Sequence, residues 1–160
     1  MASFNDLGFL DRHLIRLYPF KKYNTSPNSP LNKPLDQTRI ALITTGGFYM
    51  DGQQPFNIKK LGGDCSFREI ANSINIQDLL IQHSSSVYDP SDTKTDVNLV
   101  FPLVRFRELE DKGIIKSLNH RHFSFMGSIS RPKQLINHTA PQVAKLLIDD
   151  KVDVAFLTPV

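Results

Sequence analysis

Two spacings of apolar residues alternate along the chain, and each change of spacing marks an element. Over residues 4–18, Leu7, Leu10, Leu14 and Leu17 recur at three- and four-residue intervals, which predicts an amphipathic helix. Pro27, Pro30 and Pro34, set among asparagines and serines over 23–34, predict a linker. The run Ile40-Ala41-Leu42-Ile43 then predicts a first sheet strand that runs into the turn Gly46-Gly47. Residues 61–70 read as a second glycine turn, and 78–83 as the next strand. Residues 101–113 predict a helix with Pro102 in its first turn, Gly113 as its cap and Leu103, Phe106 and Leu109 along one face. Phe123 and Phe125 alternate with His122, Ser124 and Met126, the period of a half-buried strand with the histidine turned toward a polar crevice. A helix over 132–151 restarts where Thr139 can cap and Pro141 sits in the first turn. The last run, residues 152–160, predicts a strand buried on both faces of a parallel sheet and stopped by Thr158-Pro159.

Helix, strand, strand, helix, strand, helix, strand is the order of a Rossmann-like α/β layer with a mostly parallel sheet. Residues 1–38 read as an N-terminal helix and Pro-rich linker, and 39–160 as the α/β domain. The formal charge of +3 comes without a sustained basic run, so composition implies no nucleic-acid partner. No apolar run is long enough to imply a membrane span, and the N-terminus lacks the pattern of a secretory signal. A single cysteine, Cys65, forms no intrachain disulfide, in keeping with a cytoplasmic setting.

In open α/β sheets ligands sit outside the carboxyl ends of the strands, so candidate chemistry is sought there. Thr45, Gly46 and Gly47 follow the first strand and read either as an anion or substrate cradle or as a plain tight turn. His83, Asp89, Asp92 and Asp96 follow the second. A histidine among carboxylates can act as a hydrogen-bonded base or bind a divalent ion, but Asp-Pro and Ser-x-x-Asp are also ordinary turn and cap chemistry. The spacing matches no metal signature, and no metal is assigned. Cys65 reads as a nucleophile or as a small buried apolar residue. His122 and Thr158 complete the candidate lining.

Ile40-Ala41-Leu42-Ile43-Thr44-Thr45-Gly46-Gly47, Tyr88-Asp89-Pro90-Ser91-Asp92 with Asp96-Val97-Asn98, Val100-Phe101-Pro102-Leu103 with Arg107-Glu108-Leu109, and His122-Phe123-Ser124-Phe125-Met126-Gly127 together resemble selenoprotein B of the glycine/sarcosine/betaine/D-proline reductase family. The resemblance covers most of residues 39–160 and little of 1–38. It implies reductive cleavage of a carbon–nitrogen bond in a small amino-acid-like substrate, with a dithiol reductant. It implies no separate cofactor, but a selenocysteine or cysteine directly after the strand that ends at Val160, and a second cysteine soon after. Selenocysteine is encoded by UGA, so the resemblance also implies that the α/β domain continues past Val160 and that these 160 residues lack the redox centre and are inactive alone. Implied partners are reductase subunits, in some relatives one with a pyruvoyl group, or a thioredoxin-type reductant. A sheet left without cover also allows a homodimer. A non-redox module that binds a small ligand on the same fold, and a metal-dependent enzyme, are the alternative readings of the same residues.

Overall fold

The computed structural model describes residues 8–17, 24–26, 29–85, 88 and 90–160. Two units separate, residues 1–30 and 31–160. The first holds α1 (Phe9–Leu17), the described part of the helix expected over 4–18, with the rings of Phe9 and His13 packed at a tilt, 5.1 Å between centroids.

The second unit is built around β1 (Arg39–Thr44), whose Ile40, Ala41 and Leu42 are buried. One side of β1 pairs along Ile40–Thr44 with β7 (Val154–Thr158). The other pairs first with β5 (Ser117–Leu118) and then with β6 (Arg121–Phe125). These strands are all parallel, and β3 (Phe67–Ala71) adds antiparallel beyond β6. A separate antiparallel ribbon joins β2 (Phe48–Tyr49) to β4 (Leu80–Ile81). The architecture is therefore mixed α/β, with a mostly parallel central sheet and few helices.

Period-two alternation divides the core into two layers. Ile40, Leu42 and Ile70 face a cluster completed by Phe48, Phe101 and Leu103, while Phe123, Phe125 and Val143 pack on the opposite face with Ile43 and Leu147. Full burial of a residue such as Phe123 or Leu42 stabilises by roughly 2 kcal/mol. The first layer is closed by α3 (Leu103–Asp111), and α2 (Ser91–Thr95) lies in the polar loop before it. The second is covered by α4 (Ala140–Asp149).

Several expectations change. Residues 67–71 form a strand where a glycine turn was expected. Its Arg68 lies 4.3 Å over the Phe56 ring and donates to the carbonyls of Gln54 and Pro55, so its polar face is held at the surface. The strand expected over 78–83 shrinks to Leu80–Ile81 because Asn75 caps a 3-10 turn at Ile76–Asp78. β6 is buried on both faces, since Phe101 packs edge-on against His122 at 5.9 Å where a polar crevice was expected. Thr139 caps nothing. Pro141 cannot donate to the carbonyl four residues back, and the chain widens into a π turn at Leu135–Thr139 with Ala140 N–H bonded to Leu135 O.

The largest correction concerns β7. It was expected to be buried on both faces, yet Phe156 is 41% and Leu157 62% exposed. Among the described residues it pairs with β1 alone, so its outer edge is open. No helix among the described residues is long and apolar enough to cross a membrane.

Candidate functional site

The carboxyl ends of β1, β6 and β7 meet on one side of the sheet, because all three strands run parallel. Thr45 ties them together. Its N–H donates to Thr158 O at 3.2 Å, and its Oγ1 accepts the backbone N–H of Val160 at 2.9 Å. Thr158 Oγ1 reaches back to Ile43 O at 3.4 Å. Gly127, just past β6, fits beneath this junction. A Cβ there would stand 2.9 Å from Thr45 O and 3.1 Å from His83 Nε2, so only glycine leaves room for the histidine.

His83 enters from the loop after β4. Its Nδ1 accepts the Ser85 backbone N–H at 3.1 Å, which assigns the ring proton to Nε2. That Nε2 is closed off from solvent and has no well-formed hydrogen bond among the described residues, although it faces the Thr45 carbonyl. Burial depresses the pKa of His83 below 6.5, and the Thr45 carbonyl opposes that only in part. The ring is thus neutral at pH 7 and carries one donor held in reserve. On its outer side lies a polar depression of about 360 Å³, bordered by Gln82, Ser85, Tyr88 and Lys94. Tyr88 Oη donates to Thr93 Oγ1 at 2.8 Å, and its ring packs at a steep tilt against His83 with centroids 4.7 Å apart.

Of the residues singled out from sequence, Thr45, His83 and Thr158 come together here. The others do not join them. His122 lies in the core: its Nδ1 accepts Leu42 N–H at 3.1 Å, where β1 passes from β5 to β6, and its Nε2 meets Asn72 Oδ1 at 3.2 Å. Burial, with Arg107 and His120 adding to it, pushes the His122 pKa down to about 3. Asp96 caps the turn Val97–Leu99 by accepting Asn98 N–H and Asn98 Nδ2, and those bonds hold its carboxyl below the usual range. Asp92 is exposed in the first turn of α2, and Asp89 lies outside the described residues.

The glycine turn offers no free cradle. Gly46 N–H donates to Thr44 Oγ1 at 3.1 Å and Gly47 N–H to Phe125 O at 2.9 Å. Both amides are spent inside the protein, as in a plain tight turn. Cys65 is buried, with Sγ 3.9 Å from Arg131 O, away from this junction. Among the described residues, no three His, Cys, Asp or Glu side chains converge as metal ligands would. Lys94 and Gly127 are the contributors that sequence reasoning missed. Gly127 ends a motif already quoted and Lys94 falls between two quoted stretches, but their proximity to His83 is a product of the fold.

Residues 13–160 match the family described as glycine/sarcosine/betaine reductase selenoprotein B. The chain is 34% identical over 130 residues to the D-proline reductase subunit gamma of Acetoanaerobium sticklandii, a match covering 81% of this chain and 52% of the relative. It is 25% identical to the glycine reductase complex component B subunit gamma of Symbiobacterium thermophilum, over 82% of this chain and 32% of the relative. It is 27% identical to the sarcosine reductase complex component B subunit beta of Peptoclostridium acidaminophilum, over 88% and 32%. The chain thus spans about half the length of the first relative and about a third of the other two. No solved structure matches it significantly. With nearly its whole length matched, including every strand that meets at Thr45, the chain belongs to the glycine/sarcosine/betaine reductase selenoprotein B family.

Proposed function

We propose that this chain forms the α/β layer of a reductase component that cleaves a carbon–nitrogen bond in a small amino-acid-like substrate, and that a selenolate or thiolate acts at the carboxyl end of β7. Reductase subunits and a thioredoxin-type dithiol would be its partners. The observation that carries the reading is the hydrogen bond from Val160 N–H to Thr45 Oγ1, beside the closed-off Nε2 of His83. A residue joined to Val160 starts from a fixed point next to a buried donor that has no well-formed hydrogen bond among the described residues. The chalcogen would supply the nucleophile and, with a second thiol, the two electrons of the reduction. This chain's own residues would hold the site. Thr45 and Thr158 fix the end of β7, His83 Nε2–H donates a hydrogen bond that orients the substrate, and the second thiol would give its proton to the departing amine. Gly127 keeps the space that the imidazole needs.

A Rossmann-like winding of the complete sheet, and pairing of two copies through the open edge of β7, belong to the same proposal. The test begins with the codon after Val160. UGA followed in frame by a cysteine codon is expected, whereas a different stop codon with no coding sequence beyond it overturns the reading. Protein extended with cysteine at both positions is then expected to turn over D-proline, glycine, sarcosine or betaine with dithiothreitol. His83→Asn should lower kcat about a hundredfold, the usual scale for loss of one preorganised hydrogen-bond donor.

The depression beside His83 and Lys94 favours one second reading, a module that binds a small zwitterion without redox chemistry. Thermal shifts with the same amino acids, present in the complete protein and retained after the new cysteines are replaced by serine, would select it.

A further inference from the structure

A second concavity, of about 500 Å³, lies away from the Thr45–His83 junction and shares no residue with it. Lys60, Arg131, Lys133 and His138 line it, together with Gln134 and Asn137. No carboxylate lines it. The neighbouring acid, Asp64, is 4.0 Å from Lys60 Nζ, and its oxygens are taken by Asn57 N–H, Ser66 N–H and Ser66 Oγ. Among the described residues, the side chains of Arg131 and Lys133 have no acidic partner.

Scattered surface cations are ordinary, but these are mounted on a fixed frame. Arg131 N–H donates to Gly62 O at 3.0 Å, and Arg131 O accepts from the buried Cys65 Sγ at 3.9 Å. The stem of Arg131 lies so tightly on Gly62 that a Cβ there would come within 2.7 Å of Arg131 Cβ and Cδ. Lys60 Nζ donates to Gln134 Oε1 at 3.3 Å and so ties residue 60 to the segment that carries Arg131 and Lys133. Positive groups held together in a concavity, with only Lys60 near an acid and that acid's oxygens already hydrogen-bonded, make a preorganised anion site.

From this arrangement we propose a binding site for a small phosphate-bearing molecule. The planar fork of Arg131 and the ammonium groups of Lys60 and Lys133 match a tetrahedral dianion better than one carboxylate, which would leave charge uncompensated. The cavity is within the usual size of small-ligand pockets and exceeds what inorganic phosphate alone would fill, so a phosphate monoester is the favoured class. This proposal is independent of the reductase reading.

The test is an amide NMR titration of the protein with inorganic phosphate, phosphoserine and succinate. Both phosphates should saturate, phosphoserine with a Kd below about 1 mM. Shifts should concentrate in residues 60–65 and 131–138, and succinate should bind several-fold more weakly than phosphoserine. Arg131→Ala and Lys133→Ala, both at exposed positions, should each weaken phosphoserine about tenfold, the scale of one charge-assisted hydrogen bond. His83→Asn should leave binding unchanged. Lack of saturation up to about 10 mM would overturn the proposal, on the affinity scale expected for a functional site. So would unchanged affinity in an Arg131→Ala/Lys133→Ala double variant, shifts confined to Thr45 and His83, or succinate binding as tightly as phosphoserine.

Discussion

Val160 donates its backbone N–H to Thr45 Oγ1 at 2.9 Å, while the carbonyl of the same threonine faces Nε2 of His83. One side chain and one carbonyl therefore couple the end of β7 to the closed-off Nε2 of a half-buried imidazole. Thr45→Val keeps the shape and removes the acceptor. It should cost about 1 kcal/mol and speed amide exchange at Val160 roughly fivefold, whereas Thr45→Ser should restore protection. Unaltered exchange in the valine variant would show that this bond does not hold the end of β7.

Gly127 makes a sharper steric prediction. Its φ of +71° and the proximity of Thr45 O and His83 Nε2 act together against any side chain. Gly127→Ala should lose about 2–4 kcal/mol, combining left-handed strain with overpacking. Gly113→Ala, at φ +67° but with open space around it, should lose only about 1–2 kcal/mol. Chemical denaturation of the two variants isolates the steric part. The His83 ring signals should move in the first variant and stay in place in the second.

His122 sets a pH dependence. Its folded pKa is about 3 against an ordinary 6.5, so between those values the unfolded chain binds the extra proton. Stability is therefore retained above pH 6.5 and lost as pH falls toward 3, by up to about 1.4 kcal/mol per pH unit from this one group. His122→Gln should be less stable at pH 7 and should show a flatter acid limb in urea titrations at pH 4 to 6.5. His83, also depressed, acts in the same direction and remains in the variant.

Arg121 holds Asp150 at 2.7 and 2.8 Å through Nε and Nη2, and reaches Glu69 at 3.1 Å, so one guanidinium joins β6, the end of α4 and β3. Asn119 Nδ2 adds a bond to Asp150 Oδ2 at 2.8 Å. These bonds hold the Asp150 carboxyl below its ordinary 3.8, so its contribution is present above that value and is lost as pH falls through the depressed one. Arg121→Ala should cost about 1–3 kcal/mol at pH 7, and the two proteins should converge in stability in strong acid.

β1, β6 and α3 were legible because each carries its own signal: an unbroken apolar run, a period of two, and a proline and glycine at the two ends. β3 was not, since Phe67-Arg68-Glu69-Ile70-Ala71 is too polar to read as a strand until Arg68 is seen lying on Phe56. The exposure of β7 was equally hidden, because an apolar run states what it would bury and not whether a cover is present. At the candidate site, location after a strand pointed to Thr45, His83 and Thr158, which the fold brings together. It could not separate His83 from His122, whose roles diverge only when Phe101 closes over one of them and Gly127 makes room for the other.

The bare flank of β7 makes concentration a variable in the behaviour of this chain. Backbone donors and acceptors on that flank, with Leu157 and Phe156 beside them, are free to pair among the described residues, and in a concentrated pure solution the expected matching strand is that of another molecule of the same kind. Light scattering should then show mass rising with concentration, first to pairs and on storage to larger, β-rich particles. A lysine in place of Leu157 would act as a gatekeeper and keep the protein monomeric. A wild-type chain that stayed monomeric at every concentration would mean that this flank is inert.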